Sequence, residues 1–240
     1  MDSIIDVSLP LPLHTYFMKN LLNTLADNRK AGTLADKLRK RRFTLFRSLI
    51  DTLPLPIKIL DVGGTEIYWE RMGFLPGKGI TITLLNTYQA AVKHPGFFSL
   101  KGDGRNMPEF TDNSFDIVFS NSVIEHVGSS EDQQKMVAEM RRVGKRLYLQ
   151  TPNRYFPLEP HFLFPFFQFM PLGLQTALLR RFSLGWYPRQ PNKEKARQLA
   201  SSIRLMTQQE LRSLYPKAKI VKEKFAGLTK SFVVLEGWEG

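Results

Sequence analysis

An apolar run from Ile57 to Leu60 closes in Asp61-Val62-Gly63-Gly64-Thr65, an acidic residue followed at once by two glycines. Without side chains at 63 and 64 the backbone can take positive φ and let a ligand lie against it, and a helix beginning just beyond would offer free N–H groups. Two further groups could move protons. Glu125-His126 follows the apolar stretch 115–120, and an imidazole near its ordinary pKa of about 6.5 exchanges a proton at neutral pH. Glu159 and His161 stand two residues apart and could form an acceptor-positioning or base unit. Each pair also has a plain structural reading, as groups that stabilise their own turns. The four histidines, at 14, 94, 126 and 161, show no ligand spacing, so no metal site is expected.

These residues need elements to hold them. Helical apolar spacing from Thr15 to Leu53 predicts two or three helices ahead of the first strand. Strands are expected at Ile57–Val62, Gly79–Leu85, Phe97–Leu100, Phe115–Ser120 and Arg146–Thr151, with a helix over Ser130–Val143, an alternation that specifies a parallel sheet with right-handed crossovers. The rhythm changes near the end. Thr207-Gln208-Gln209-Glu210 reads as a capping box opening a helix to Tyr215. Strands at Ala218–Phe225 and Ser231–Glu236, with only residues 226–230 between them, must then pair antiparallel. Ligands of open parallel sheets bind beyond the carboxyl ends of the strands, where strand order reverses. Four such ends gather there: Asp61 to Thr65, Leu84 to Asn86, Lys101 to Gly104, and Ser120 to Ser122.

Bulk properties exclude several chemistries. The chain has 240 residues and no cysteine, which removes disulfides, thiolate metal sites, iron–sulfur clusters and thiolate nucleophiles. No run of 18 or more apolar residues occurs and the chain opens Met1-Asp2 without a basic leader, so a cytoplasmic protein is expected, with the inner membrane face a candidate for peripheral contact. A formal charge of +12 favours anionic surroundings. Its densest part, Lys37 to Arg42 followed by Arg47, falls on an expected helix with Leu34, Leu38, Leu45 and Ile50 on the apolar side. Residues 154–189 are unusually rich in aromatics, prolines and arginines, which suits a membrane surface, a lipid-linked acceptor, or a pocket lid packed on the N-terminal helices.

From Asp112 to Val127 the sequence reads DNSFDIVFSNSVIEHV, and with the glycine turn at 61–65 this resembles the class I S-adenosylmethionine-dependent methyltransferases, small-molecule (type 11-like) branch. The likeness spans about residues 57 to 153. It implies a Rossmann-like α/β fold: a seven-stranded, mostly parallel sheet with an antiparallel last strand, preceded by N-terminal helices and carrying an aromatic lid insertion after strand five. One domain is expected over 1–240, divided into a helical cap (1–54), a cofactor-binding core (55–153), the insertion (154–204) and a C-terminal helix and hairpin (205–240). By resemblance, Gly63 and Gly64 receive the methionine part of S-adenosyl-L-methionine. Asp61 organises the loop through its backbone or a water, and Asn86 meets the ribose hydroxyls. Asp103 accepts from the adenine amine with Gly104 or Arg105 beside it, while Asn121 and Ser122 line the floor near the sulfonium. Glu125, His126 and His161 are the catalytic candidates. The sequence departs from the family at Thr65 and Ile67, where further glycines are usual, and at Asn86, where an acidic residue is usual.

The expected function is methyl transfer to a small, apolar or lipid-linked acceptor. Nucleic acid is not an expected partner, because no RNA-binding module is appended and Ser120-Asn121-Ser122-Val123 replaces the Asn-Pro-Pro-aromatic tetrad of amino-methylating nucleic acid enzymes. Two alternatives stay open: an RNA methyltransferase using the basic helix on phosphates, and a non-catalytic membrane or scaffold protein on the same fold.

Overall fold

A computed structural model describes residues 32–238; the expected helices before residue 32 lie outside the described residues. Contacts divide the chain into two units after Arg41. Residues 32–41 carry the first turns of α1 (Leu34–Ile50), where Asp36 accepts from the Gly32 N–H at 3.0 Å and pairs with Lys40 at 3.2 Å.

From Arg42 onward the chain builds a seven-stranded sheet in the order β3-β2-β1-β4-β5-β9-β8. Its strands are β1 (Ile57–Val62), β2 (Ile80–Asn86), β3 (Phe97–Lys101), β4 (Ile117–Asn121), β5 (Leu147–Pro152), β8 (Lys219–Phe225) and β9 (Leu228–Glu236), so the sequence expectations hold to within a residue or two except at β9. The first five are parallel, and β9 runs antiparallel between β5 and β8. The last link is tighter than expected: β9 starts at Leu228, because Ala226 (φ 48°) and Gly227 (φ 80°) alone make the turn. Two consecutive positive φ values match the right-handed twist of a hairpin, which a longer link would not need.

Helices cover both faces: α2 (Glu66–Arg71), α3 (Ser130–Val143) and α6 (Gln208–Leu214), with the later turns of α1. Alternate strand residues divide between two cores, as the two-residue period of a strand requires. Leu60, Val118, Leu147, Leu149 and Val234 face Met136, Val137, Met140 and Leu211. Ile59, Ile117, Phe119, Tyr148 and Val233 face Phe43, Phe46, Ile50 and Trp69. The buried apolar residues in the later turns of α1 are Phe43, Phe46 and Ile50, with the expected Leu45 partly buried against the same core, and the aromatic rings fill the gap beside Trp69 and Phe119. Helix α3 begins with a reciprocal box at Ser129 and Asp132, and α6 with the expected box at Thr207 and Glu210.

Asn153 opens the insertion. Its Nδ2 donates to Thr229 O at 2.8 Å and its Oδ1 accepts from the Tyr155 N–H at 3.1 Å, turning the chain away from the sheet. The insertion holds β6 (Leu158–Glu159) paired with β7 (Phe164–Pro165), then a 3₁₀ turn at Phe167–Phe169, α4 (Leu172–Arg181) and α5 (Lys193–Ser201). The expectation that its aromatics pack on the N-terminal helices or an outside partner is corrected for Phe162 and Phe167. Both rings are buried with Leu179, Ala196 and Ala200 in a core that the insertion supplies itself.

Candidate active site

The switch in strand order lies between β1 and β4, and hydrogen bonds there hold four strand ends in line. Gly63 N–H donates to Leu85 O at 2.8 Å, Gly102 N–H to Asn86 O at 2.7 Å, and Ser122 N–H to Gln150 O at 3.0 Å. One edge therefore carries 61–65, 86, 102–104 and 121–122.

The glycine turn is fixed from inside. Gly63 has φ +80° and a Cβ there would lie 2.5 Å from Val123 Cγ2, so the residue must be glycine on both conformational and packing grounds. A Cβ on Gly64 would lie 1.6 Å from Asp61 Oδ2. The Asp61 carboxylate thus fills the space that a side chain at 64 would need. It is fully buried and accepts from the indole N–H of Trp69 at 2.7 Å, whereas the sequence reading gave it a backbone or water role. A buried indole requires an acceptor, and the nearest carboxylate supplies it. Burial pushes the Asp61 carboxyl up to about 7, against the lowering effect of the indole hydrogen bond. Thr65, in place of a family glycine, caps α2 by accepting from the Tyr68 N–H, and Ile67 lies exposed on that helix.

Asn86 is tied down differently from the resemblance. Its Nδ2 donates to Gly64 O at 2.8 Å, which ties the β2 end to the glycine turn and commits the amide's donor side to the protein. Asp103 is likewise engaged: the Arg105 guanidinium meets both its oxygens at 2.7 to 3.0 Å and the Arg105 N–H adds a bond at 2.9 Å. These bonds hold its carboxyl below the usual range. Gly104 is packed at 2.7 Å, in Cβ terms, from Val62. At the end of β4, Ser122 (φ 56°) donates its hydroxyl to Gln150 Oε1 at 2.7 Å, while Asn121 Oδ1 is buried with no donor among the described residues. The unbonded oxygen of Asp61, Oδ1, is in the same condition.

Beyond β4 a 3₁₀ turn, Ile124–His126, is clamped by Gln133 Nε2 donating to Ile124 O at 2.9 Å and by the Arg204 N–H donating to Glu125 O at 2.8 Å. It presents Glu125 inward, fully buried, with Oε2 accepting from Thr151 Oγ1 at 3.0 Å and Oε1 accepting no hydrogen bond among the described residues. Burial raises its carboxyl to about 7 despite the opposing charge of His161. The insertion delivers Glu159, also buried, which accepts the N–H groups of His161 and Phe162 at 2.7 and 2.6 Å and meets His161 Nδ1 at 2.7 Å.

The rings of His126 and His161 stand perpendicular with centroids 4.7 Å apart, and His161 Nε2 is 4.0 Å from Glu125 Oε1. Two of the histidines that spacing left scattered are therefore neighbours; a second group joins His94 to Glu66 and Glu70, and His14 lies outside the described residues. Sequence reasoning also gave His126 as a base near its ordinary pKa. Although the residue as a whole is exposed, desolvation around its ring and the adjacent His161 lower it to about 4, leaving a neutral, weakly basic imidazole. Trp69, Gln133 and Thr151 escaped sequence reasoning, for their roles depend on partners 8, 9 and 26 residues away.

The strand order, the reversed β9 and the glycine turn at the switch point define the class I methyltransferase fold. A family model described as a methyltransferase domain matches residues 69–147. Among solved structures, the CurJ carbon methyltransferase aligns with TM-score 0.55 at 12% identity, over 94% of this chain and 60% of that one. A SAM-dependent methyltransferase from Aquifex aeolicus aligns with TM-score 0.46 at 13% identity, over 80% and 87%. Uncharacterized proteins from two strains of Mycobacterium tuberculosis are 38% identical over 53 residues, 22% of this chain and 18% of theirs. The chain thus matches under a fifth of the length of those curated relatives. The family match thus covers about a third of the chain, and the fold is that of the class I methyltransferases, whose cofactor is S-adenosylmethionine. No helix among the described residues is long and apolar enough to cross a membrane.

Proposed function

We propose that the protein transfers a methyl group from S-adenosylmethionine to a small, apolar or lipid-linked acceptor held under the insertion. The observation that carries this reading is the pair of buried acceptor oxygens without donors among the described residues, Asp61 Oδ1 and Asn121 Oδ1, at the carboxyl ends of adjacent strands beside the glycine turn. Unpaired buried acceptors favour a ligand that brings donors or positive charge, as the methionine end of this cofactor does. The cofactor supplies an electrophilic methyl on a sulfonium. Gly63, Gly64 and Asp61 would hold its amino-acid end, Asn86 Oδ1 and Asp103 its nucleoside, and Asn121 with Ser122 the floor.

Glu125, His126 and His161 stand beyond the end of β4 next to that floor, with His126 exposed. The acceptor's apolar part has aromatic surface available: Tyr155, stacked on Phe169 with centroids 6.2 Å apart, together with Phe166. Arg180 and Arg181 in the last turn of α4 make lipid surface a candidate source of that acceptor.

Calorimetric titration with S-adenosylmethionine and S-adenosylhomocysteine tests this. Micromolar binding that weakens about tenfold in Asp103→Ala, the worth of one charge-assisted hydrogen bond, supports the reading. Absence of heat and of any thermal shift at millimolar cofactor, with a folded sample, refutes it.

A further inference from the structure

We infer that Glu125, His126 and His161 form a binding site for a divalent transition-metal ion of the zinc or cobalt type, with Glu159 orienting His161 from behind. The first ground is tautomeric. Glu159 is buried, its Oε2 accepts two backbone N–H groups, and its Oε1 lies 2.7 Å from His161 Nδ1, so Nδ1 carries the hydrogen. With Nδ1 held by Glu159, Nε2 is the ring atom left for a metal ion, and it lies 4.0 Å from Glu125 Oε1. At 4.0 Å the two atoms are beyond hydrogen-bond distance, so neither satisfies the other directly and an ion could lie between them.

The second ground is Glu125 itself. Its Oε1 is inaccessible to solvent and has no hydrogen-bond donor among the described residues. A buried oxygen without a partner is costly and a metal ion would satisfy it, and the carboxylate–histidine arrangement behind it is the usual support of a metal-binding imidazole. The third ground is dimension. One donor atom from each of Glu125, His126 and His161 lies within 4.8 Å of the others. Ligand distances of about 2.1 Å put two ligands of a tetrahedral ion about 3.4 Å apart, so closure needs a movement of about 1 Å, available to the exposed His126.

Two imidazoles and one carboxylate are the ligand set of ions that keep an open position for an exogenous oxygen or nitrogen. An acceptor with an ionisable hydroxyl or amine suits that position; this use of the ion rests on the methyl-transfer reading, but its binding does not. The other histidine group carries no such case, because both oxygens of Glu66 already accept from the N–H groups of Lys93 or His94.

The test is titration of the chelator-treated full chain with Co²⁺, followed by visible absorption, with Zn²⁺ as competitor and no cofactor present. One equivalent is expected, with the intense bands of a low-coordinate N/O site. His126→Ala should weaken binding at least tenfold, His161→Gln should abolish it, and Glu159→Gln should weaken it 10- to 100-fold. His94→Gln should leave it unchanged. Metal-free melting curves establish that each variant is folded, and His126→Ala, being a change at an exposed residue, keeps the test open if a buried variant fails to fold. The inference is overturned if the wild type takes up no stoichiometric ion, if His126→Ala binds as tightly as wild type, or if only His94→Gln loses binding. Since cofactor is absent, none of these results depends on whether S-adenosylmethionine binds.

Discussion

Asp61→Asn should remove the pH dependence that the Asp61 carboxyl gives to folding. The carboxyl is wholly buried, has one donor, the Trp69 indole at 2.7 Å, and leaves Oδ1 without a partner among the described residues. Its pKa stands near 7 in the folded protein against an ordinary value of about 3.9 when unfolded. Between those values the folded chain binds more protons than the unfolded one, so this group makes stability fall as pH rises from about 4 to about 7, with the full cost present above 7. Three pH units at about 1.4 kcal/mol each give an upper scale of about 4 kcal/mol, of which about 3 kcal/mol falls between pH 5 and 8. For a chain of this size that difference moves the melting midpoint by about 5 to 10 °C. Asparagine keeps the size and the indole acceptor but cannot ionise. The assay is thermal unfolding of wild type and Asp61→Asn, without cofactor, in steps from pH 5 to 8. The difference in midpoint, Asp61→Asn minus wild type, should grow steadily in favour of the variant up to about pH 7 and then level. A difference that does not change with pH would refute the reasoning, because it would mean that the carboxyl ionises in the folded state as easily as in water.

Gly64→Ala should cost about 3 kcal/mol or more in urea unfolding, since its Cβ would meet Asp61 Oδ2 at 1.6 Å and the carboxylate has no free space to enter. Ser129→Ala should cost about 1 kcal/mol by the same measurement, through loss of the reciprocal cap at the start of α3, with no change in cofactor binding. Exchanging the exposed Phe166 and Phe169 for serine should leave the melting midpoint and cofactor affinity unchanged and raise KM for the acceptor in steady-state assays; unchanged KM would remove the insertion's surface from acceptor recognition.

The sheet was legible because local signals and tertiary structure agree. Ile57 to Val62 has six residues of apolar pattern between a proline and a glycine pair, and only a buried parallel strand suits it. The boxes at Ser129 and Thr207 act within four residues, so α3 and α6 begin where their sequences say. The hairpin turn is shorter than the apolar pattern predicts because Leu228 to Lys230 extend β9, a choice made by pairing across to β8.

Residue types at the strand ends were likewise readable, but not what those residues do. Asn86 spends its amide on Gly64 and Asp103 is gripped by Arg105, both set by how neighbouring loops pack. The histidines mark the limit most clearly. Residues 126 and 161 are 35 positions apart in sequence, and nothing periodic connects them. Only the turn after β4 and the hairpin of the insertion, folded onto one another, bring their rings to 4.7 Å between two buried carboxylates. Sequence fixes the hydrogen-bonding and apolar character of short segments, which act over a few residues; the charge environment of a buried group is a sum over neighbours that only the tertiary structure assembles.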